Sequence, residues 1–133
     1  MRIVTLLSCI ALAGSLLAAQ STKGSDSFPV IVQMSYYAQP GKEDEVLRLR
    51  QAAADILVKR GLARGRVWKI TDSPRATKEP AGATVMWQGE FASDAALKQQ
   101  EQVADTDPDF LAIRRQMGAV TIRTERRYFR EAR

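Results

Sequence analysis

The sequence predicts an α+β domain in which four strands form one antiparallel sheet and two helices cover a single face of it. Three observations carry this. Apolar residues alternate with period two in segments at 30–37 and 83–91, and they recur at three- and four-residue steps between 46 and 57. The segments follow one another in the order β-α-β-β-α-β. A length of 133 residues suffices for one such domain, and 45% hydrophobic with 26% charged residues is the balance of a chain that buries a core.

The first twenty residues stand apart from that domain. Met1-Arg2 is a short positive start, Ile3 to Ala19 is a mostly apolar run, and Ala18-Ala19 supply small residues before a polar stretch. Those are the parts of a secretory signal peptide over residues 1–19, so the chain is expected to be exported to the periplasm or secreted. A membrane anchor is the other reading of a run this long, although it is marginal in length and holds Gly14 and Ser15. Cys9 lies inside the run with ten apolar or small residues after it, which fits a lipoprotein signal poorly. Cleavage near Ala19 would leave no cysteine in the mature chain, and no later segment is apolar enough to stay inserted in a membrane. Residues 20–28 are polar and Gly/Ser-rich, the composition of a flexible leader, and the domain itself is read as 29–131.

Val30, Val32, Met34 and Tyr36 alternate with Ile31, Gln33, Ser35 and Tyr37, a strand that Pro40-Gly41 stops. Lys42-Glu43-Asp44-Glu45 then places acid where a helix dipole favours it, and Val46, Leu49, Ala53, Ile56 and Leu57 form one apolar stripe. Gly61 is a natural stop. Arg66 to Thr71 reads as a second strand with Trp68 and Ile70 on one side, and Asp72 to Gly82, with two prolines, as a loop. Ala83 to Phe91 is a third strand, with Val85, Trp87 and Phe91 on one side. Ser93 caps a further helix that Asp107-Pro108-Asp109 restarts and Gly118 is expected to end. Val120 to Arg130 closes the sheet as a long strand. Two crossovers on one antiparallel sheet make the ferredoxin-like arrangement.

Composition narrows the chemistry. The chain has no histidine and no asparagine, so the usual neutral-pH base and the commonest metal ligand are both missing. No metal site and no haem or other cofactor are expected, because neither a DxDxDG-like cluster nor a Gly-rich phosphate loop is present. The net charge of +5 loses one with Arg2, and the excess gathers in Arg114, Arg115, Arg123, Arg126, Arg127, Arg130 and Arg133. Glu125 and Glu131 interrupt that run, and for an exported protein it reads as a solvated basic face rather than a nucleic-acid site.

The segment Ala38 to Leu49 (AQPGKEDEVLRL) resembles the strand-to-helix junction of the dimeric α+β barrel superfamily, which includes antibiotic-biosynthesis-monooxygenase-like and NIPSNAP-like domains. MWQGEFASDAALKQQ, DPDFLAIRRQM and TIRTERRYF are similar to the second half of the same families, so the resemblance spans Pro29 to Arg130. It implies a dimeric α/β barrel, and three possible activities: cofactor-independent oxidation of polycyclic or quinol substrates, haem breakdown, or binding without catalysis. The haem-degrading members rely on a histidine that no position here supplies.

Candidate site residues follow from side-chain chemistry. Tyr36, Trp68, Trp87 and Tyr128 are the aromatic groups expected to line a pocket for a flat or hydrophobic ligand, though core packing is the favoured account of the two tryptophans. Arg123 and Arg126 are weaker candidates for an anion, and the alternation puts them on opposite faces of their strand. A binding protein of the cell envelope and a cofactor-independent oxygenase are the two functional readings. A deep cavity lined by Trp68, Trp87 and a tyrosine would favour the second.

Counting faces predicts a homodimer. Helices should cover the side with Val30, Val32, Met34, Val85, Trp87 and Ile122. The opposite side, with Ile31, Tyr37, Val67, Met86 and Phe129 among Gln33, Thr84, Gln88, Arg123 and Glu125, is too apolar for water and too polar for a core.

Overall fold

The computed structural model describes residues 29–71 and 82–131. The expected signal peptide, the leader and nearly all of the 72–82 loop lie outside the described residues. The elements are β1 (Val30–Ala38), α1 (Glu43–Lys59), β2 (Arg66–Lys69), β3 (Val85–Phe91), α2 (Asp94–Thr106), α3 (Pro108–Val120) and β4 (Thr121–Arg130). The four strands form one sheet in the order β2-β3-β1-β4, and every neighbouring pair is antiparallel. This is the α+β, ferredoxin-like arrangement that the element order predicts.

The second helical region is two helices. Asp107 breaks it: its Oδ1 accepts the backbone N–H groups of Asp109 and Phe110, both at 3.0 Å, and Pro108 occupies the first turn, where its missing N–H is harmless. Gly118, expected to end α3, does not. The helix runs on to Val120, because Val120 and Met117 lie three residues apart on one face and are both buried. β4 begins at the next residue, with the Thr121 hydroxyl donating to the Met117 carbonyl at 2.9 Å.

Helices α1, α2 and α3 share one face of the sheet, and the core between the layers is built on Val30, Val46, Leu49, Leu57 and Val85. Three placements correct the sequence reading. Val67, expected on the open face, sits opposite Trp87 and packs against the core. Trp68, expected to line a pocket, sits opposite Met86 on the open face and is 45% exposed. The reason is register: β2 has four residues, apolar on both sides, and its pairing to β3 sets its phase. Ile122 is the third. Tyr37 pairs with Arg123 while Ala38 pairs with Thr121, so Ile122 is the extra residue of a bulge and stands 64% exposed, away from the helices.

The arginines near the C-terminus are dispersed by the fold. Arg126 meets Glu101 at 3.4 Å and Arg130 meets Asp94 at 2.6 Å, tying β4 to α2, while Arg114 meets Asp105 at 2.9 Å.

Candidate functional site

Between sheet and helices lies a cavity of about 380 Å³. Its size is within the range of small-ligand pockets, roughly 300–1,000 Å³. Val32, Met34 and Tyr36 of β1 and Trp87 and Phe91 of β3 form one wall. Phe110, Ile113 and Met117 of α3 and Leu97 of α2 form the opposite wall, and Arg50 and Ala53 of α1 close one end. All of the β1 and β3 groups come from the inward-pointing alternation, so period two in the sequence is what builds the wall.

Trp87 is held rigidly. Its indole N–H donates to the Arg64 carbonyl at 3.0 Å. Gly65 and Gly89 leave the ring its space: a Cβ on either would come within 2.4 Å of the indole. Gly65 also adopts φ +67°, a conformation that glycine takes without strain.

Arg50 is the residue that sequence reasoning misses. It is 3% exposed, its guanidinium stacks 4.6 Å from the centre of the Trp87 ring, and its Nε has no hydrogen-bond partner. Burial pulls its pKa below the usual arginine value, but a guanidinium keeps its charge in a protein. A signal was present. Arg50 lies four residues after Val46 and three before Ala53, so it falls on the apolar stripe, where a charge is out of place.

Tyr36 is buried, and its hydroxyl reaches only the Met34 sulfur, at 3.6 Å. Burial pushes its pKa above the ordinary tyrosine value, with nearby Arg50 opposing that rise, so the phenol stays protonated and is a hydrogen-bond donor. Gln100 adds a buried amide to the lining.

The other predicted site residues lie at the edge or elsewhere. Arg126 lines the cavity at its rim, where its guanidinium meets Glu101 and, at 3.3 Å, the Tyr128 hydroxyl. Tyr128 is 52% exposed and donates to Glu101 at 3.3 Å, so it belongs to this rim and not to the cavity wall as expected. Opposite Val32 on an edge strand, it meets the covering helices only through Glu101 at the margin of α2. Arg123 is on the other side of the sheet, 3.9 Å over the Tyr37 ring and 3.3 Å from Glu125. Of the four aromatic candidates, the fold brings Tyr36 and Trp87 together and separates them from Trp68 and Tyr128. Among the described residues no group of three or more His, Cys, Asp or Glu side chains is placed to hold a metal ion.

The arrangement matches solved structures along nearly their whole length. A NIPSNAP family protein from Agrobacterium tumefaciens is similar at 15% identity and TM-score 0.57, over 78% of this chain and 93% of that one. An antibiotic biosynthesis monooxygenase is similar at 14% identity and TM-score 0.54, over 79% and 99%. A dimeric ferredoxin-like protein of unknown function from Jannaschia sp. CCS1 is similar at 12% identity and TM-score 0.57, over 77% and 99%. The fold is the ferredoxin-like α+β fold. No protein-family model and no curated protein sequence matches the chain, so this likeness is one of structure. At these identities the likeness speaks for the fold, and the residues of the cavity speak for the chemistry.

Proposed function

We propose that this protein is an exported, homodimeric α+β barrel that binds a small hydrophobic or aromatic ligand in the cavity between its sheet and helices. The observation that carries the reading is the cavity itself: about 380 Å³, walled by Trp87, Phe91 and Phe110, with few polar groups. Export rests on the composition of residues 1–19, and N-terminal sequencing of periplasmic material is expected to find a start near Gln20. The dimer rests on the open sheet face, where Trp68 and Met86 now stand together with Tyr37 and Phe129. Ligand binding is tested by native mass spectrometry of the purified chain and by titration with the neutral probe N-phenyl-1-naphthylamine. In a Trp68→Phe background Trp87 is the sole tryptophan and the expected result is saturable quenching, one probe per chain. Absence of any saturable change and of any co-purifying molecule would refute the reading.

A second reading is cofactor-independent oxygenation of a small aromatic or quinol substrate. It is favoured by a buried cation, Arg50, and a buried, protonated tyrosine, Tyr36, lining one cavity, an environment that stabilises an electron-rich phenolate. Trp68 is absent from that wall, so binding is the primary reading. Oxygen uptake in the presence of a quinol, lost in Arg50→Met, would reverse the order.

A further inference from the structure

We propose that the cavity is built for an anion: an apolar-bodied monoanion, carboxylate or phenolate, whose charged group meets Arg50. The inference deepens the ligand-binding reading and rests on it. A charge taken out of water is tolerated when it is paired, and an orphaned one is strongly unfavourable. Among the described residues three cations line the cavity. Arg114 has Asp105 at 2.9 Å and Arg126 has Glu101 at 3.4 Å, and both reach solvent. Arg50 is the most buried of the three, and among the described residues no carboxylate pairs with it. Its one partner is the face of Trp87, which offsets part of the lost hydration and leaves Nε without an acceptor.

What is missing beside Arg50 is a counter-charge, which the cavity side of its guanidinium can meet. A carboxylate or phenolate oxygen matches a guanidinium, and the bond would be charge-assisted. Tyr36 supplies a second donor on the same cavity, because burial keeps its hydroxyl protonated and its present acceptor is a thioether sulfur, a weak one. The rest of the ligand must be apolar, since Phe91, Leu97, Phe110 and Ile113 line what remains. Glu101, the only carboxylate among the described lining residues, lies at the rim with Arg126 and Tyr128, where it disfavours a second negative charge.

The test compares two probes of nearly identical shape, 2-naphthoate and 2-naphthamide, by calorimetric titration of the mature chain at pH 7. Naphthoate is expected to bind at least about tenfold more tightly, the scale of one charge-assisted hydrogen bond. Arg50→Met should bring the two affinities together without weakening the amide, while Arg114→Gln should leave the preference intact. Should Arg50→Met fail to fold, the wild-type chain in about 0.5 M salt decides, because salt screens exposed pairs far more than buried ones. A retained preference then locates it at the buried cation, and a lost one assigns it to the rim and overturns the proposal. Equal affinities in the wild type, or an unchanged preference in Arg50→Met, also overturn it while leaving the cavity a ligand site. If neither probe binds, both this inference and the ligand-binding reading fall.

Discussion

The two faces of the sheet are made from the same four strands by the same alternation, and they carry opposite kinds of imperfection. The covered face packs against an apolar layer of helices into which α1 sends a buried, unpaired charge, Arg50, beside a cavity. The open face is water-facing yet carries Ile31, Tyr37, Trp68, Met86 and Phe129 between charged neighbours. Tyr37 shows how those neighbours are organised: its hydroxyl donates to Glu125 at 2.9 Å while Arg123 covers its ring. A charge where apolar groups belong calls for a ligand, and apolar groups where charges belong call for a partner. Each face is incomplete in its own way.

That contrast breaks most visibly under truncation of the covered face. Leu49 is fully buried, and Leu49→Ala is expected to lower stability by about 2–5 kcal/mol, read as a drop in denaturation midpoint. A loss below about 1 kcal/mol would mean that the layers are not packed as described. On the open face the effect should fall on association instead. Met86→Lys or Trp68→Lys would force a charge to be desolvated at the contact, and sedimentation velocity should report dimerisation at least tenfold weaker, about 1.4 kcal/mol. A dimer indifferent to both substitutions would place the interface elsewhere.

Arg50→Met inverts the usual sign for a buried residue. Removing an unpaired charge and its orphaned donor should raise the stability of the ligand-free chain by about 1 kcal/mol, measured by urea unfolding. A loss of stability would show that the stack on Trp87 is itself the purpose of the arginine.

The smallest effect is electrostatic. Bonds from the Phe110 N–H and from Arg60 hold the Asp107 carboxyl below its ordinary value near 3.8. A depressed folded-state pKa contributes stability that is present above the unfolded value and lost as pH falls through the lower folded one. Asp107→Asn keeps a capping oxygen and loses the titration, so its melting temperature should decline less steeply than the wild type's below about pH 4. Parallel declines would assign the acid sensitivity to other carboxylates.

Much of this architecture is legible in the residues alone. The phase of β1 and β3 follows from long alternations, and the break at Asp107 follows from a capping acid ahead of a proline. Legibility failed where a local pattern had two solutions. In β2, Val67 and Trp68 are both apolar, and the larger one reads as inward; only pairing with β3 selects Val67. In β4 strict alternation carries Ile122 inward, whereas the bulge opposite Tyr37 and Ala38 resets the phase after it. Arg50 failed differently. A stripe assembled from its apolar members passes over the one member that is not apolar, so half of the candidate site was visible as Tyr36 and Trp87 and the half that matters most for ligand charge was not.

The absence of a linker between α3 and β4 has a mechanical meaning. A helix that becomes a strand at the next residue, pinned there by the Thr121 hydroxyl, has no slack in which to change its angle. Its other end is a joint: the chain turns at Asp107, where a cap and an arginine hold the bend but no helix crosses it. The cavity's outer wall is thus fixed where α3 enters the sheet and jointed where α2 meets α3. Ligand entry by movement of that wall would open it at the side of α2, next to the Glu101–Arg126–Tyr128 rim, and leave the sheet undisturbed.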